Sequence, residues 1–349
     1  MKTKKRILLA PLNWGIGHAT RCIPIIKKLI SNNFEVIIGA DGRPLHLLNT
    51  EFPELEIIRL EGYNIHYSKY LPMGMSMLLQ TPKIIWNIKK EHHTLNNIIK
   101  DYNINGVISD NRFGLYTKKV PCIFITHQLA IQSPYFSQKI QRFNYKYINK
   151  FDSCWVMDDK DSNLAGNLSK PNIMPEKTIY IGAQSRFEYQ NSEKKYDFLA
   201  IVSGPEPQRT ILEKGLIKAL KERKEKSLIV LGKPELNNTK KIGNTTIKSH
   251  LNAKDLNSAI LSSDLIICRP GYSTIMDLAK LMKKAFFIPT PGQTEQEYLA
   301  EQFKLKNICY YQKQSQFDFE KALKESQKFT GFLKTENQKT DWKNLFGLF

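Results

Sequence analysis

Two glycine-containing turns carry the residue types that bind phosphate and accept a proton. The first lies in residues 268–277, Cys-Arg-Pro-Gly-Tyr-Ser-Thr-Ile-Met-Asp, which follow an apolar run typical of a buried strand and open a helical pattern. Gly271 in a strand-to-helix turn leaves backbone N–H groups free to bind a phosphate. Asp277 comes about one turn later in the helix, where its carboxylate can accept hydrogen bonds from ribose hydroxyls. The pattern therefore predicts a nucleotide-binding turn.

The second turn lies near the amino end, in residues 8–21, Leu-Leu-Ala-Pro-Leu-Asn-Trp-Gly-Ile-Gly-His-Ala-Thr-Arg. Gly15 and Gly17 let a ligand approach the backbone, and His18 opens the following helix. A helix N-terminus disfavours the imidazolium, so a neutral His18 would accept a proton. The spacing differs from the dinucleotide fingerprint GxGxxG, and a tight turn with a structural histidine remains an alternative.

Asp110, Arg112 and His127 follow two further short apolar runs that predict strands. In an open parallel sheet, ligands bind beyond the carboxyl ends of the strands, so these side chains and His18 are expected at one site. Asp110 would hold His18 or itself activate an acceptor hydroxyl, and Arg112 and His127 are expected to contact the acceptor. A capping role for Asp110 and a packing role for His127 stay open.

A loop at residues 203–210 follows the first predicted strand of the second half and leads into a helix. Gly204 permits close approach of a pyrophosphate, and Arg209 offers a charge-assisted contact to it. A plain surface loop is the alternative.

Another turn, at residues 289–298, opens a helix with polar residues. Gln293, Gln296 and Glu297 are expected to reach sugar hydroxyls there. A capping box of Thr294 with Glu297 would also explain that pair, but it does not explain the two glutamines.

The elements that position these residues alternate between strands and helices. Such alternation predicts right-handed βαβ crossovers and parallel sheets, and therefore an α/β fold. Strands are expected at residues 6–11, 35–40, 56–60, 106–109, 122–126, 153–157, 198–202, 227–231, 246–248, 265–268 and 285–288, and helices at 19–32, 83–100, 210–224, 255–263, 273–283 and 293–304.

A new cycle of strands and helices begins near Tyr196, which predicts two Rossmann-like domains facing across a cleft. We expect residues 1–185 to bind the acceptor and residues 186–330 to bind a nucleotide sugar. Residues 331–349 form a polar tail whose terminal aromatic side chains would pack back on the body.

The composition suits a globular protein of two domains, with 349 residues of which 41% are hydrophobic. Five scattered cysteines without a CxxC or Cys/His cluster predict neither a disulfide framework nor a zinc site, and fit a reducing cytoplasm. No apolar run approaches the ~18 residues of a membrane span. The apolar run at residues 7–12 contains Pro11, so it predicts a first strand rather than a signal peptide.

The net charge of +19 has three interpretations. It reflects a lysine-rich composition, or it attracts anionic substrates and an anionic membrane surface, or it binds nucleic acid. Because no RNA-binding motif occurs, no nucleic-acid partner is expected. Residues 62–90 are rich in aromatic, Met and Lys residues and would either lie on a membrane or lipid acceptor or pack as a long connection. The acidic string at 158–161 is interpreted as a solvated turn, and neither a metal nor another cofactor is expected.

These motifs together resemble the GT-B glycosyltransferases, in the family 28 branch that contains the MurG-type N-acetylglucosaminyltransferases and the plastid galactolipid synthases. The resemblance is strongest over residues 266–302. The family pattern Cys-Arg-x-Gly-x-x-Thr-x-x-acid is matched by Cys268, Arg269, Gly271, Thr274 and Asp277, with Asp in place of the usual Glu. Two Gly-rich loops of the family are matched by residues 17–18, with fewer glycines, and 204–209, with two prolines.

The resemblance implies an inverting, metal-independent transfer from a UDP-sugar, with N-acetylglucosamine as the expected sugar, to a lipid-linked or cell-envelope glycan. His18, or else Asp110, would remove the proton of the acceptor. The expected location is the cytoplasm, with peripheral contact to the inner face of the cytoplasmic membrane. The donor-binding residues that it implies are Gly204, Arg209, His250, Leu251, Arg269, Gly271, Ser273, Thr274, Asp277, Gln293, Gln296 and Glu297.

Two other functions stay open. A related branch hydrolyses nucleotide sugars and has a Gly-x-Gly-His-x-x-x-Arg opening, similar with altered spacing to Gly15, Gly17, His18 and Arg21. A UDP-sugar hydrolase or epimerase is therefore one alternative, and a non-catalytic protein that binds sugar nucleotides is the other.

Overall fold

The computed structural model describes residues 4–63, 79–131, 137–160, 164–334 and 340–349. The chain divides into two compact units, Met1–Gln184 together with Glu336–Phe349, and Ser185–Thr335. Residues 64–78, most of the excursion predicted at 62–90, and Asp161 of the acidic string lie outside the described residues. Among the residues that are described, no helix is both long enough and apolar enough to cross a membrane.

The first unit contains a seven-stranded sheet whose neighbouring strands are all parallel. The strands lie in the order β3-β2-β1-β4-β5-β6-β7, so the order reverses between β1 and β4, where a doubly wound sheet binds its ligand. They are β1 (Arg6–Pro11), β2 (Glu35–Ala40), β3 (Glu56–Arg59), β4 (Gly106–Asp110), β5 (Cys122–Thr126), β6 (Ser153–Val156) and β7 (Thr178–Tyr180). The helices that alternate with them are α1 (Gly17–Ser31), α2 (Gly42–Glu51), α3 (Thr81–Asp101) and α4 (Ser137–Ile148).

The central strands of this sheet are continuous apolar runs because helices cover both of its faces. Residues 7–10 of β1 are wholly buried, and so are all five residues of β4 and of β5. Helix α1 places its apolar side chains on one face, at helical spacing, and buries them against the sheet. This packing fixes the carboxyl ends of β1, β4 and β5 side by side.

The second unit contains another seven-stranded sheet, in the order β10-β11-β9-β8-β12-β13-β14. Only β10 runs antiparallel to its neighbour, and its exposed lysines protect that edge from pairing with another chain. The strands are β8 (Tyr196–Ile201), β9 (Ser227–Val230), β10 (Thr239–Ile242), β11 (Thr245–Lys248), β12 (Ser263–Cys268), β13 (Lys284–Phe287) and β14 (Tyr310–Tyr311). The helices are α5 (Gln208–Leu220), α6 (Ala253–Leu261), α7 (Tyr272–Lys280), α8 (Thr294–Leu305) and α9 (Phe319–Ser326).

The carboxyl-terminal segment packs on the first unit through helix α10 (Trp342–Phe346). Phe346 is only 3% exposed, and its ring centroid lies 6.0 Å from that of Trp155. The ring of Phe349 fits against Gly106 of β4, because a glycine leaves the necessary space. The polar tail therefore ends in an aromatic cluster on the sheet that carries the amino-terminal turn.

The α/β class predicted from the sequence is confirmed, and β1, β2 and β5 have the predicted bounds. Sequence periodicity missed several short or peripheral elements. These are α2, α4, β7, β10, β14, α9 and α10.

Replacing Gly106 by Ala is expected to lower the free energy of unfolding of the first unit by about 1–3 kcal/mol, because overpacking forces neighbouring groups to move. The new Cβ would overlap the Phe349 ring and lie 3.0 Å from Ile7 Cδ1. The loss should shrink in a Phe349→Ala background, since the two sites are coupled. Chemical denaturation followed by tryptophan fluorescence measures both effects.

Gly215→Ala on α5 is the matched control, because the nearest atom to its new Cβ is 3.6 Å away. A methyl group there is expected to stabilise the helix by up to about 1 kcal/mol. Equal costs of Gly106→Ala with and without the Phe349 ring would contradict this account of the tail.

Candidate functional site

The carboxyl ends of β1, β4 and β5 bring together His18, Asp110 and His127, as the sequence predicts. His18 lies in the first turn of α1, Asp110 is the last residue of β4, and His127 directly follows β5. The backbone N–H of Leu12, at the end of β1, donates to the carbonyl oxygen of Asp110 at 2.9 Å. The Gly15–His18 turn therefore starts beside Asp110.

Arg21 joins these three side chains, although the sequence analysis assigns it no site role beyond the hydrolase-like motif. Its Nε donates to Asp110 Oδ2 at 2.9 Å, and its Nη2 donates to Asp110 Oδ1. Its Nη1 lies 2.7 Å from His127 Nδ1, which must accept this hydrogen bond because a guanidinium only donates. Arg21 is 3% exposed and Asp110 is fully buried. The result is a bidentate ion pair in the interior of the first unit.

His18 Nδ1 lies 3.1 Å from Asp110 Oδ2, and the His18 side chain is 15% exposed. The same Nδ1 lies 2.9 Å from Arg21 Nη2, which only donates, whereas the carboxylate only accepts. The tautomer protonated on Nδ1 donates to Asp110 and has its lone pair on Nε2, and this is the tautomer that general-base catalysis requires. Burial lowers the pKa of His18 below its ordinary 6.5, and the nearby Arg21 guanidinium lowers it further, against the opposing effect of Asp110. His18 is therefore a neutral base near pH 7.

Asp110 stays ionised despite its complete burial. Burial alone would raise its pKa, but Arg21 and then His18 together hold the pKa of Asp110 well below its usual range. The Cys22 thiol also faces Asp110 Oδ2, at 3.6 Å, and burial raises its pKa well above 9. Cys22 is thus a neutral thiol that adds no second charge to the pair.

The structure corrects the prediction that Arg112 contacts an acceptor, since its side chain is fully buried. Its Nε donates to Glu91 Oε1 of α3 at 2.5 Å, and its Nη2 donates to the carbonyl oxygen of Glu61 at 2.5 Å. Glu91 also accepts from the Tyr63 hydroxyl at 2.7 Å. Arg112 follows Asp110 by two residues, so this network holds the end of β4 rather than a ligand.

The acidic string at 158–161 is also different from its prediction as a solvated turn. Asp158 is fully buried and accepts hydrogen bonds from the backbone N–H groups of Asp159, Leu164 and Ala165 and from the Ser169 hydroxyl. A carboxylate with four donors organises the fold of this loop. Among the described residues, no group of three or more His, Cys, Asp or Glu side chains is arranged to hold a metal ion.

In the second unit, Gly271 is the N-cap of helix α7, and no side chain caps that helix. A Cβ at this position would have no neighbour within 4 Å, so the backbone there faces open space. Ser273 and Thr274 lie in the first turn and are partly buried. The N–H groups of such a turn can bind an anion.

Asp277, one turn into α7, accepts a hydrogen bond from the Ser185 hydroxyl at 2.6 Å and another from the backbone N–H of Arg186. Burial raises the pKa of Asp277 from 3.8 to about 6, although the charge of Arg186 and these hydrogen bonds act in the opposite direction. His250 is half-buried, and burial and then Arg186 lower its pKa. Leu251 is 8% exposed.

Arg269 does not present the charge that the motif predicts, which corrects its assignment as a direct donor contact. Its guanidinium is buried and donates to the carbonyl oxygens of Ile288, Pro289 and Gln208 and to Gln314 Oε1. Burial lowers its pKa to about 10. These bonds tie the α7 turn to the loop after β13.

The loop after β8 brings Gly204, with φ +107°, next to two buried donors. A Cβ on Gly204 would lie 3.4 Å from Thr290 Oγ1 and 3.7 Å from Arg269 Nε. Neither atom has a hydrogen-bond partner among the residues that the structure describes. The sequence analysis does not single out Thr290, which lies in the turn between β13 and α8.

Arg209 is paired with a carboxylate of its own loop. Its Nε and Nη2 donate to Glu206 Oε1 at 2.9 and 2.6 Å, and its Nη1 donates to the carbonyl oxygen of Gly232 at 3.3 Å. Glu206 is half-exposed, so a pyrophosphate oxygen would compete with it for the guanidinium. The Glu206 side chain is the signal that sequence reasoning missed, three residues before Arg209.

The predicted sugar contacts in α8 have mixed environments. Gln293 is the N-cap residue, and its side chain makes no hydrogen bond to a described residue. Gln296 is 7% exposed, and its Oε1 accepts from the backbone N–H of Thr290 at 2.8 Å. Glu297 Oε1 accepts from the N–H of Gly292 at 3.0 Å, so the predicted capping box with Thr294 is wrong. The helix begins at Thr294, so Thr294 is its first residue and not its N-cap. The Glu297 side chain therefore bonds to the turn that precedes the helix.

Known proteins resemble this chain in sequence and in fold. Residues 208–345 match the glycosyltransferase family 28 C-terminal domain. Uncharacterized glycosyltransferases of Methanosarcina mazei and Methanosarcina acetivorans are 21% and 22% identical to this chain, each over 84% of this chain and 81% of its own length. The solved calicheamicin glycosyltransferase CalG4 has a TM-score of 0.63 at 12% identity, covering 93% of this chain and 90% of its own. MurG of Acinetobacter baumannii has a TM-score of 0.54 at 15% identity, covering 94% and 93%.

The likeness to solved structures establishes the GT-B fold, with two units that each carry a mostly parallel sheet. The match of residues 208–345 to the family 28 C-terminal domain and the two Methanosarcina relatives identify the chain as a glycosyltransferase similar to those of family 28.

Asp110→Asn is expected to lower the free energy of unfolding by about 3–5 kcal/mol, because it leaves the buried Arg21 guanidinium without a counter-charge. His18→Ala, at a partly exposed neutral side chain, should cost only about 1 kcal/mol. Urea denaturation of the two variants measures the difference. Equal stabilities of Asp110→Asn and the wild-type protein would contradict a structural role for the ion pair.

Proposed function

We propose that this protein transfers a sugar, with inversion, from a UDP-sugar to a hydroxyl group of a glycan or lipid-linked acceptor. N-acetylglucosamine is the sugar that the family resemblance favours. The observation that carries the proposal is the His18–Asp110–Arg21 arrangement, since a neutral imidazole oriented by a buried carboxylate is suited to general-base catalysis.

In this reaction His18 Nε2 accepts the proton of the acceptor hydroxyl while its oxygen attacks the anomeric carbon. Asp110 orients the ring through Nδ1 and stabilises the imidazolium that forms. The oxygen of the leaving UDP departs from the opposite side, which inverts the configuration. Asp110 is therefore a positioning group in our proposal, and His18 is the base.

The second unit would bind the donor. The Gly271 turn and the first turn of α7 offer backbone N–H groups to the diphosphate as its charge develops. Asp277 would accept hydrogen bonds from the ribose in exchange for the Ser185 hydroxyl. Gln293 has a side chain positioned for a sugar hydroxyl, and Arg209 would contact the diphosphate only after release from Glu206.

A surface of the first unit supports the proposed peripheral contact with an anionic membrane. Leu79 is 69% exposed and Trp86 is 61% exposed, and a shallow groove beside them is lined by Pro82, Ile85 and Lys89 of α3. Apolar side chains flanked by lysines suit the boundary between lipid headgroups and acyl chains. A cytoplasmic location with this contact is part of the proposal.

His18→Ala is expected to reduce turnover by at least about 100-fold, the contribution typical of a general base. Its affinity for UDP should change less than twofold, because the hydrogen-bond partners that the structure describes for the His18 side chain, Asp110 and Arg21, belong to the first unit. UDP release from UDP-N-acetylglucosamine, with membrane lipid extract as the source of acceptor, measures turnover, and calorimetry measures UDP binding. His46→Ala, at an exposed histidine of α2, is the control.

Parallel losses of turnover and UDP affinity would show that His18 is structural. UDP formed without the extract as fast as with it would favour the UDP-sugar hydrolase. If the wild-type protein and His18→Ala bind the UDP-sugar with the same affinity and neither turns it over, the result would favour a non-catalytic protein that binds sugar nucleotides.

Asp277 predicts a pH dependence of donor binding. Its pKa is about 6, so the carboxylate that accepts ribose hydrogen bonds is present at pH 7.5 and mostly protonated at pH 5. The affinity for UDP-N-acetylglucosamine is expected to fall by about tenfold over this interval, since one pKa unit corresponds to a tenfold population change. Asp277→Asn should bind more weakly at pH 7.5 and show little dependence on pH.

Asp277 is expected to affect folding stability in the opposite direction from donor affinity as the pH changes. Because its pKa is raised in the folded state, its contribution to the free energy of unfolding is greatest below pH 4 and is lost as the pH rises through 6. A stronger affinity at pH 5 than at pH 7.5 in calorimetric titrations would contradict the ribose assignment.

A further inference from the structure

Trp14 is the exposed aromatic residue of the amino-terminal turn. Its side chain is 38% exposed, whereas Trp155 in the core of the same unit is 1% exposed. Among the residues that the structure describes, Trp14 has neither a ring contact nor a hydrogen bond to its indole N–H. An indole buries a large apolar area when it can, so one held in the open at a ligand site indicates a contact with that ligand.

The backbone that carries Trp14 is fixed on both sides. Leu12 is hydrogen-bonded to the backbone of Asp110, and the Asn13 side chain packs so closely on Gly62 that a Cβ there would lie 2.8 Å from Asn13 Cβ. Gly15 has φ +74°, and nothing lies within 4 Å of where its Cβ would be. Trp14 is thus held next to open space, four residues before the base His18.

The chemistry of the acceptor decides what occupies this space. A pyranose ring has an apolar C–H face and a rim of hydroxyls, which match an indole face and its single N–H donor. An acyl chain would use only the indole face, and it would bring no hydroxyl to His18. The apolar surface suited to a lipid lies instead at Leu79 and Trp86.

Resting on the proposed function, we propose that Trp14 is a specificity-determining residue that stacks on the pyranose ring of the acceptor sugar and presents its hydroxyl to His18. The acceptor then ends in a sugar rather than in a lipid phosphate or an alcohol. Stacking on an aromatic ring depends on its flat face, so Phe should replace Trp14 in part and Leu should not.

Saturation-transfer NMR on the full chain tests this with three probes, methyl β-D-glucopyranoside, methyl β-D-galactopyranoside and methyl N-acetyl-β-D-glucosaminide. The wild-type protein is expected to bind at least one probe, with transfer strongest to the C–H protons of one ring face. Trp14→Leu should weaken that binding at least tenfold, and Trp14→Phe less than that. Trp86→Leu, at the other exposed tryptophan of this unit, is the matched control and should bind as the wild type does.

Two results would overturn the inference directly: no binding of any probe, or equal binding by Trp14→Leu and the wild type. Displacement of the sugar by 1-hexanol would also overturn it, because Trp14 would then bind an apolar chain. UDP binding measured on the same samples confirms that each variant is folded. It also separates this inference from the proposed function, because UDP bound without any pyranoside effect would refute the stacking alone, whereas absence of UDP binding would refute the donor assignment.

Discussion

The bidentate ion pair of Arg21 with Asp110 is the interaction on which the site of the first unit depends. Both groups are removed from water, which is costly unless the pair has matched geometry and further hydrogen bonds. Here Nε and Nη2 of the guanidinium donate to both carboxylate oxygens, and Nη1 donates to His127. One side chain of α1 therefore joins the ends of β4 and β5. His18, one helical turn earlier on α1, has to meet the same carboxylate.

The carboxylates Asp110 and Asp277 differ in their surroundings, and their pKa values move in opposite directions. Asp110 has a guanidinium in direct contact and stays an anion, so it can orient a neutral base. Asp277 has Ser185 as its nearest partner and a more distant cation in Arg186, and its pKa is raised to about 6. Such divergence is how one protein assigns different tasks to the same functional group. In our account Asp110 keeps a fixed partner, whereas Asp277 exchanges a hydroxyl of the protein for one of the ligand.

Much of this arrangement could be predicted from the sequence, because strand ends in a parallel sheet meet at one edge. Apolar runs located β1, β4 and β5, and the polar residues at or after their carboxyl ends indicated His18, Asp110 and His127 as neighbours. Peripheral elements such as β10 and β14 were not predicted, because they are short and are exposed or only partly buried. Periodicity has little to detect there.

Charge pairing at the site could not be predicted, because a motif shows residue types and not their partners. Arg112, Arg209 and Arg269 have the types and positions of ligand-binding residues, yet each makes its contacts within its own unit. Glu91, the partner of Arg112, lies 21 residues away in the sequence, and the partners of Arg269 are mainly backbone carbonyl oxygens. Glu206 was within reach of sequence reasoning, since opposite charges three residues apart at a helix start commonly pair.

The most direct test of this account is the protonation state of His18, read by long-range ¹H–¹⁵N NMR of histidine-labelled protein, with His18→Ala for assignment. The account predicts a neutral ring near pH 7, protonated on Nδ1 and with a pKa below 6.5. A doubly protonated His18 at pH 7, or a neutral ring with its proton on Nε2, would contradict it, because Nε2 would then have no lone pair to accept the proton of an acceptor.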